Sequence, residues 1–127
     1  MPALEKVSSN RVSNGILTKY TFPSRSVSLK TTINVFVPSS ASPTTPVPVM
    51  FYLAGLTCNE DTGCQKGGFL VTAGEEEVAV VCPDTSPRGA GVEGEEEEGD
   101  LGTGGSSSHL KLVFSVPMCE ELLAWGC

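Results

Sequence analysis

Aromatic residues and long apolar runs are scarce in this sequence. Phe, Trp and Tyr make up 6% of the 127 residues, whereas there are 14 Gly and 9 Pro, a balance that limits the core and favours loops. No apolar stretch approaches the ~20 residues that a membrane helix needs. No apolar run follows a basic segment at the N-terminus, so we expect no secretory signal. These absences predict one small domain without a membrane partner.

Histidine is almost absent, and the cysteines form no familiar pattern. His109 is the single histidine, and the 5 cysteines are an odd number. The C-x5-C spacing of Cys58 and Cys64 is not a usual zinc-binding spacing. Without a secretory signal we expect free thiols in a reducing compartment, and we expect no metal site.

Basic residues are few beyond residue 59. The first 59 residues hold five basic residues and one acidic residue, a net charge of +4, whereas the remainder holds three basic and fourteen acidic residues, a net charge of −11. The whole chain therefore carries a formal net charge of −7. An acidic surface repels phosphate backbones, so we expect no nucleic-acid partner.

The apolar pattern predicts four strands and one weak helix. Residues 27–37 alternate in the manner of a strand, whereas residues 47–53 and 78–82 are apolar almost throughout, as in strands covered on both faces. Residues 16–22 form a further short strand, and a helix weakened by glycines is predicted around residues 64–77. Two apolar strands that flank a helix-length segment predict a parallel βαβ unit, and the two earlier strands predict an antiparallel edge.

One stretch, PDTSPRGAGVEG at residues 83–94, contains a glycine motif. Gly89, Gly91 and Gly94 fit G-x-G-x-x-G, which binds a pyrophosphate when it directly follows a strand and opens a helix. Here residues 83–88 intervene after the strand, no helix is predicted, and acidic residues follow where the pyrophosphate would lie. We therefore do not assign a dinucleotide-binding loop.

The first half of that stretch belongs to a longer series of motifs. VPVMFYLAGLTC at residues 47–58 precedes PDTSPRG at 83–89, an acidic stretch and DLGTG at 100–104, and VSSNR stands at 7–11. In order and spacing this series resembles the S-formylglutathione hydrolase, or esterase D, family. Members of that family typically show L-S-G-L-T-C, then A-P-D-T-S-P-R-G, then D-[LF]-G-x-G-A-G-F-Y. The resemblance covers roughly residues 4–104.

The resemblance implies an incomplete α/β-hydrolase fold, in which residues 1–104 supply the N-terminal edge strands and the first parallel βαβ unit. The family hydrolyses the thioester S-formylglutathione to glutathione and formate, a step in formaldehyde detoxification, and often also cleaves small carboxylic esters. It acts in the cytoplasm, commonly as a homodimer, with a Ser-Asp-His triad and without a metal or organic cofactor. These properties are therefore our expectations for the family to which the chain is similar.

The loop at residues 53–58 carries the site residues that the resemblance implies. In α/β-hydrolases a loop after an early strand donates one amide of the oxyanion hole, and here that donor is the backbone N–H of Leu56. Gly55 lets the backbone turn toward the substrate carbonyl, although without the resemblance it reads more simply as the end of a strand. Cys58 matches a family cysteine near the active site and is either a substrate contact or a buried, inert thiol. Asp84 directly follows a strand, where we favour a structural clamp over a catalytic role.

The residues of the catalytic triad are not recognisable in the sequence. The family nucleophile stands in G-H-S-M-G-G, but no G-x-S-x-G occurs here, and His109 lies in GSSSHLK, which matches nothing in the family. We therefore expect this polypeptide to have no activity or negligible activity. Two alternatives stay open: a non-catalytic interaction fragment that pairs with a full-length hydrolase, and a product that is never a stable protein.

Residues 105–127 depart from the family pattern, and we expect them to be a divergent tail that arose by mis-splicing, a retained intron or a frameshift. If so, the genomic DNA beyond codon 104 should encode AGFY followed by GHSMGG in one of its reading frames. Sequencing that region checks the hypothesis, and the absence of both motifs from every frame would refute it.

Overall fold

The computed structural model describes residues 4–23, 30–55 and 58–84, which contain a mixed sheet of five strands and two short helices. The elements along the chain are β1 Glu5–Val12, β2 Gly15–Pro23, β3 Lys30–Pro38, β4 Val49–Phe51, α1 Glu60–Lys66, α2 Leu70–Glu75 and β5 Ala79–Pro83. The strands follow one another in the sheet in the order β1-β2-β3-β5-β4.

The last two strands form the predicted parallel pair. Val49 to Phe51 of β4 lie in register with Ala79 to Val81 of β5, and the backbone N–H of Tyr52 extends the pairing to the Val81 carbonyl at 2.9 Å. The connection between them contains both helices, as a crossover between parallel strands requires. β5 also pairs antiparallel with β3, and β3 with β2, so the predicted antiparallel strands adjoin the βαβ unit.

Three features differ from the sequence prediction. β1 was not predicted, because its residues are almost all polar and exposed and show no alternation; its pairing with β2 makes it a strand. β4 is shorter than the predicted segment of residues 47–53, and the prediction that this segment is covered on both faces is wrong, because Met50 and Phe51 are exposed. The single predicted helix is two helices, separated near Gly68, whose φ of 66° lies in the left-handed region that glycine adopts readily. Residues 27–29 of the strand predicted at residues 27–37 lie outside the described residues.

Buried side chains lie on both faces of the sheet. Alternate residues of β3 and β5 point to opposite faces, so Phe36, Val80 and Cys82 pack with the two helices, whereas Ile33 and Val81 belong to a second cluster. The members of the helix-side cluster are Phe36, Cys64, Leu70, Ala73, Val80 and Cys82. The apolar pattern of residues 78–82 therefore predicted correctly that this strand is covered on both faces.

Phe36 is the largest of the fully buried side chains, and its ring lies near Gly15 and Gly74. We expect Phe36→Ala to lower the free energy of unfolding by about 3–5 kcal/mol, because it removes apolar contacts and leaves a cavity. Urea denaturation checks this, with Val7→Ala as a control, since Val7 is 56% exposed. The control should change the free energy by less than about 0.5 kcal/mol, and equal effects of the two substitutions would contradict this description of the core.

Candidate functional site

The candidate site lies at the edge where β4 and β5 both end. Because the two strands are parallel, their carboxyl ends meet at one edge of the sheet, with residues 53–55 after β4 and Asp84 after β5. The backbone N–H of Asp84 donates to the Thr32 carbonyl at 2.9 Å and so extends the pairing of β5 with β3. This bond anchors the main chain at the position where a clamp was predicted, although it involves the backbone and not the carboxylate.

A turn follows β4 at the predicted glycine. The Gly55 carbonyl accepts a hydrogen bond from the backbone N–H of Cys58 at 3.1 Å, and Gly55 is exposed, with open space where a Cβ would stand. The predicted amide donor, Leu56, lies between these two residues and outside the described part of the chain. Gly55 therefore opens a closed turn after β4, and the orientation of the Leu56 amide stays a prediction.

Asn59, the residue after the turn, caps the start of α1. The Asn59 side chain accepts hydrogen bonds from the backbone N–H groups of Asp61 and Thr62 at 3.1 and 3.2 Å, and the Thr62 hydroxyl accepts one from the Asn59 backbone at 3.3 Å. These reciprocal bonds form a capping box, which satisfies amide groups that a helix start leaves without partners. Half-buried Cys58, a free thiol, thus lies between the turn and a capped helix start.

The first turn of α1 is attached to the sheet by polar contacts that the sequence prediction missed. Lys19 of β2 and Asn34 of β3 are cross-strand partners, so their side chains lie on the same face. The Lys19 Nζ contacts Glu60 Oε1 at 3.0 Å and Asp61 Oδ2 at 2.6 Å. The Asn34 amide donates to the Glu60 carbonyl at 3.0 Å and to Asp61 Oδ1 at 2.9 Å. No local pattern could indicate these pairs, because Lys19 lies 41 positions from Glu60.

The contacts of Lys19 with Asp61 favour the charged form of both side chains. Burial alone would raise the pKa of Asp61, but its hydrogen bonds with Lys19 and Asn34 outweigh burial and lower that pKa. Burial likewise opposes the charge on Lys19, yet hydrogen bonds to Asp61 and Glu60 raise the pKa of Lys19 above its ordinary value. Both groups are therefore held as an ion pair near neutral pH, and α1 is fixed against β2 and β3.

The described residues contain no histidine that could act as the base for a nucleophile. His109 is the single histidine of the sequence and lies outside the described ranges. Within residues 4–23, 30–55 and 58–84, no three His, Cys, Asp or Glu side chains are arranged to hold a metal ion. No helix in the same part of the chain has the length and apolar character needed to cross a membrane. The described ranges therefore show the turn after β4 and the capped start of α1.

The fold and a family model together define a class of protein. A parallel βαβ unit beside antiparallel strands, with a turn after the first parallel strand, matches the N-terminal portion of an α/β-hydrolase-like esterase fold. Residues 24–111 match the model of the Esterase family (putative esterases). The chain belongs to this family.

Curated relatives and a solved structure show which members of the Esterase family this chain resembles. The chain is 38% identical over 102 residues to an S-formylglutathione hydrolase of Bos taurus and 41% identical over 102 residues to one of Paracoccus denitrificans. Each alignment covers 80% of this chain and 36% of the relative. A solved S-formylglutathione hydrolase of Agrobacterium tumefaciens matches with a TM-score of 0.64 at 38% identity, over 68% of this chain and 31% of that chain. These matches confirm the resemblance, inferred from the motifs, to the N-terminal portion of S-formylglutathione hydrolases.

The ion pair at the start of α1 makes the stability of the fold depend on pH. Because the pKa of Asp61 is lowered in the folded state, its stabilising effect is complete above the ordinary aspartate pKa and is lost as pH falls through the lowered folded value. We expect Asp61→Asn to cost about 1 kcal/mol at pH 7, a modest value because water reaches part of this carboxylate. Acid titration of urea-induced unfolding should show a shallower loss of stability below pH ~4 for the variant.

The matched control for this titration is Glu75→Gln, which neutralises an exposed carboxylate on α2. The control should keep the wild-type dependence on pH. If Asp61→Asn and the control gave the same acid profile, the ion pair would not anchor the helix.

Proposed function

We propose that the chain carries the oxyanion-hole side of an S-formylglutathione hydrolase, a serine thioesterase that releases glutathione and formate. The observation that carries the proposal is the turn after β4, closed by the bond from the Cys58 amide to the Gly55 carbonyl, at the edge where β5 also ends. The motifs around this turn and the S-formylglutathione hydrolase relatives at 38% and 41% identity support the substrate class.

The proposed mechanism begins with the turn. Attack on a thioester carbonyl places negative charge on its oxygen, and a fixed amide donor stabilises that charge without having to reorient. The proposed donor is the backbone N–H of Leu56, and Gly55 begins the turn by accepting the Cys58 N–H on its carbonyl. Cys58 lies next to the turn, half-buried, where its thiol would meet the substrate or stay inert. The strand before the turn is paired with β5, and the helix after it is capped by Asn59.

The nucleophile is the missing part of this mechanism. No G-x-S-x-G occurs in the 127 residues, and we propose that the polypeptide alone has negligible hydrolase activity. We further propose residues 1–104 as the hydrolase-like part and residues 105–127 as a divergent tail. From the same family resemblance we also propose a cytoplasmic location, a role in formaldehyde detoxification, homodimer formation and activity on small carboxylic esters.

A chimera tests the role of the turn. Residues 1–104 of this chain would replace the matching part of the Paracoccus denitrificans S-formylglutathione hydrolase. Leu56→Pro removes one amide donor, so we expect kcat for S-formylglutathione to fall by about 100- to 1000-fold, the usual effect of losing an oxyanion-hole donor. Steady-state kinetics on the purified chimera measure this effect.

The control in the chimera is Leu56→Ala, which keeps the backbone N–H. It should retain kcat within about tenfold, because only a side chain is shortened. Equal losses in the two variants would remove the amide from the mechanism. The unfused 127-residue chain, assayed in parallel, should release glutathione no faster than buffer does, and measurable turnover would contradict its proposed inactivity.

A second candidate function is an interaction fragment that pairs with a full-length hydrolase. It is favoured by the exposed apolar side chains along β4 and just beyond it, where Met50 is 41% and Leu53 54% exposed. Exposed apolar side chains beside an outer strand are typical of a surface that another chain covers. Co-expression with the intact Paracoccus relative and affinity purification test this function. Recovery of the complex from wild-type chain, and its loss in Met50→Lys/Leu53→Lys, is the expected result; no complex would end this alternative.

A further inference from the structure

Two buried thiols face each other beneath α1. Cys64 lies on α1 and Cys82 on β5, and their Sγ atoms are 3.0 Å apart. Both are free and buried, and they are separated by 18 positions along the chain. A disulfide holds its sulfurs about 2 Å apart, so a movement of about 1 Å would join this pair.

The surrounding residues bring the two sulfurs together. Gly63 lets α1 approach the sheet closely, because a Cβ at this position would stand 2.6 Å from the Tyr52 ring and 3.7 Å from the Cys82 sulfur. Cys82 is the cross-strand partner of Asn34, which holds the first turn of the same helix. The helix is therefore fixed over β5 at the turn that carries Cys64.

We propose that Cys64 and Cys82 form a reversible redox pair that a peroxide converts to a disulfide. The Cys64 thiolate attacks one peroxide oxygen, the O–O bond breaks, and the leaving oxygen takes a proton to give water or an alcohol. The resulting sulfenic acid is attacked by the Cys82 sulfur, the S–O bond breaks, and water leaves with the Cys82 proton. Two electrons pass from the thiols to the peroxide, and an excess of external thiol reverses the reaction by exchange.

The two thiols have different roles in this sequence. The hydrogen bond between the sulfurs lowers the pKa of Cys64, although burial opposes the change. The same bond raises the pKa of Cys82, and burial raises it further. Cys64 is 9% exposed and Cys82 only 1% exposed, so a peroxide reaches Cys64 first; Cys64 is the attacking sulfur, and Cys82 resolves the sulfenic acid. The related family motif, A-P-D-T-S-P-R-G, has alanine in place of Cys82, so this pair lies outside the shared hydrolase machinery.

The disulfide would close a ring that contains α2 and fasten α1 to β5. Such a link restricts the unfolded chain and stabilises the crossover between β4 and β5. The melting temperature of the oxidised chain should then exceed that of the reduced chain by about 10 °C.

The experiment treats the purified full chain with a small molar excess of hydrogen peroxide, blocks remaining thiols and maps disulfides by mass spectrometry. Trypsin combined with a glutamate-specific protease cuts after Glu60, which separates Cys58 from Cys64. The expected product joins peptide 61–66 to peptide 78–88, with the loss of two hydrogen atoms. Excess dithiothreitol should restore both free peptides and the lower melting temperature.

Three variants keep the proposal falsifiable. Cys82→Ala and Cys64→Ser should each abolish the linked peptide and the rise in melting temperature, and either one suffices if the other fails to fold. Cys58→Ser should leave both effects unchanged. Linkage of Cys82 to Cys58, or oxidation of Cys64 to sulfinic acid without a link, would overturn the proposal.

Discussion

The position of α1 on the sheet is the constraint on which the candidate site depends. Lys19, Asn34 and Cys82 come from three neighbouring strands and lie in one cross-strand row, and we call them the sheet row. Glu60 and Asp61, which lie four and three residues before Cys64 on α1, contact this row together with Cys64. A shift of one residue in any of the three strands would turn a member of the row to the opposite face. The register of the three strands therefore determines whether α1 can bind at this position on the sheet.

The contacts between α1 and the sheet row are polar, and this limits how much they add to the stability of the fold. Ion pairs that are partly withdrawn from water lose hydration, so their net gain in stability is small, whereas their geometry tolerates few alternative partners. The apolar cluster around Phe36 and Val80 supplies most of the stabilisation on the helix side. We infer that the polar contacts chiefly select where α1 sits, and that the apolar cluster keeps it there. The capping box at Asn59 then fixes the residue at which the helix begins.

In the proposed mechanism the main chain binds the carbonyl oxygen of the substrate, whereas side chains carry out the attack. The turn after β4 is closed by a bond between backbone groups, so it can be present without a nucleophile. The curated relatives extend well beyond the matched region, since the alignments cover 36% of their length. The exposed apolar side chains at Met50 and Leu53 lie on β4 and directly after it, beside the turn. The described part of the chain thus has the architecture of the N-terminal portion of an α/β-hydrolase-like esterase fold.

The sequence by itself determined the strand around residues 33–36, because its residues alternate with the period of a strand, and the strand at residues 79–82, because a short apolar run is typical of a strand covered on both faces. It also determined the family and the turn at Gly55, because these rest on contiguous motifs. The tertiary structure alone decided that the polar segment Glu5–Val12 is a strand, that α1 begins at Glu60, and that Lys19 meets Asp61 across 42 positions. The physical reason is that residue patterns report which face is buried, whereas contacts between distant residues depend on strand register and on how closely a helix approaches the sheet.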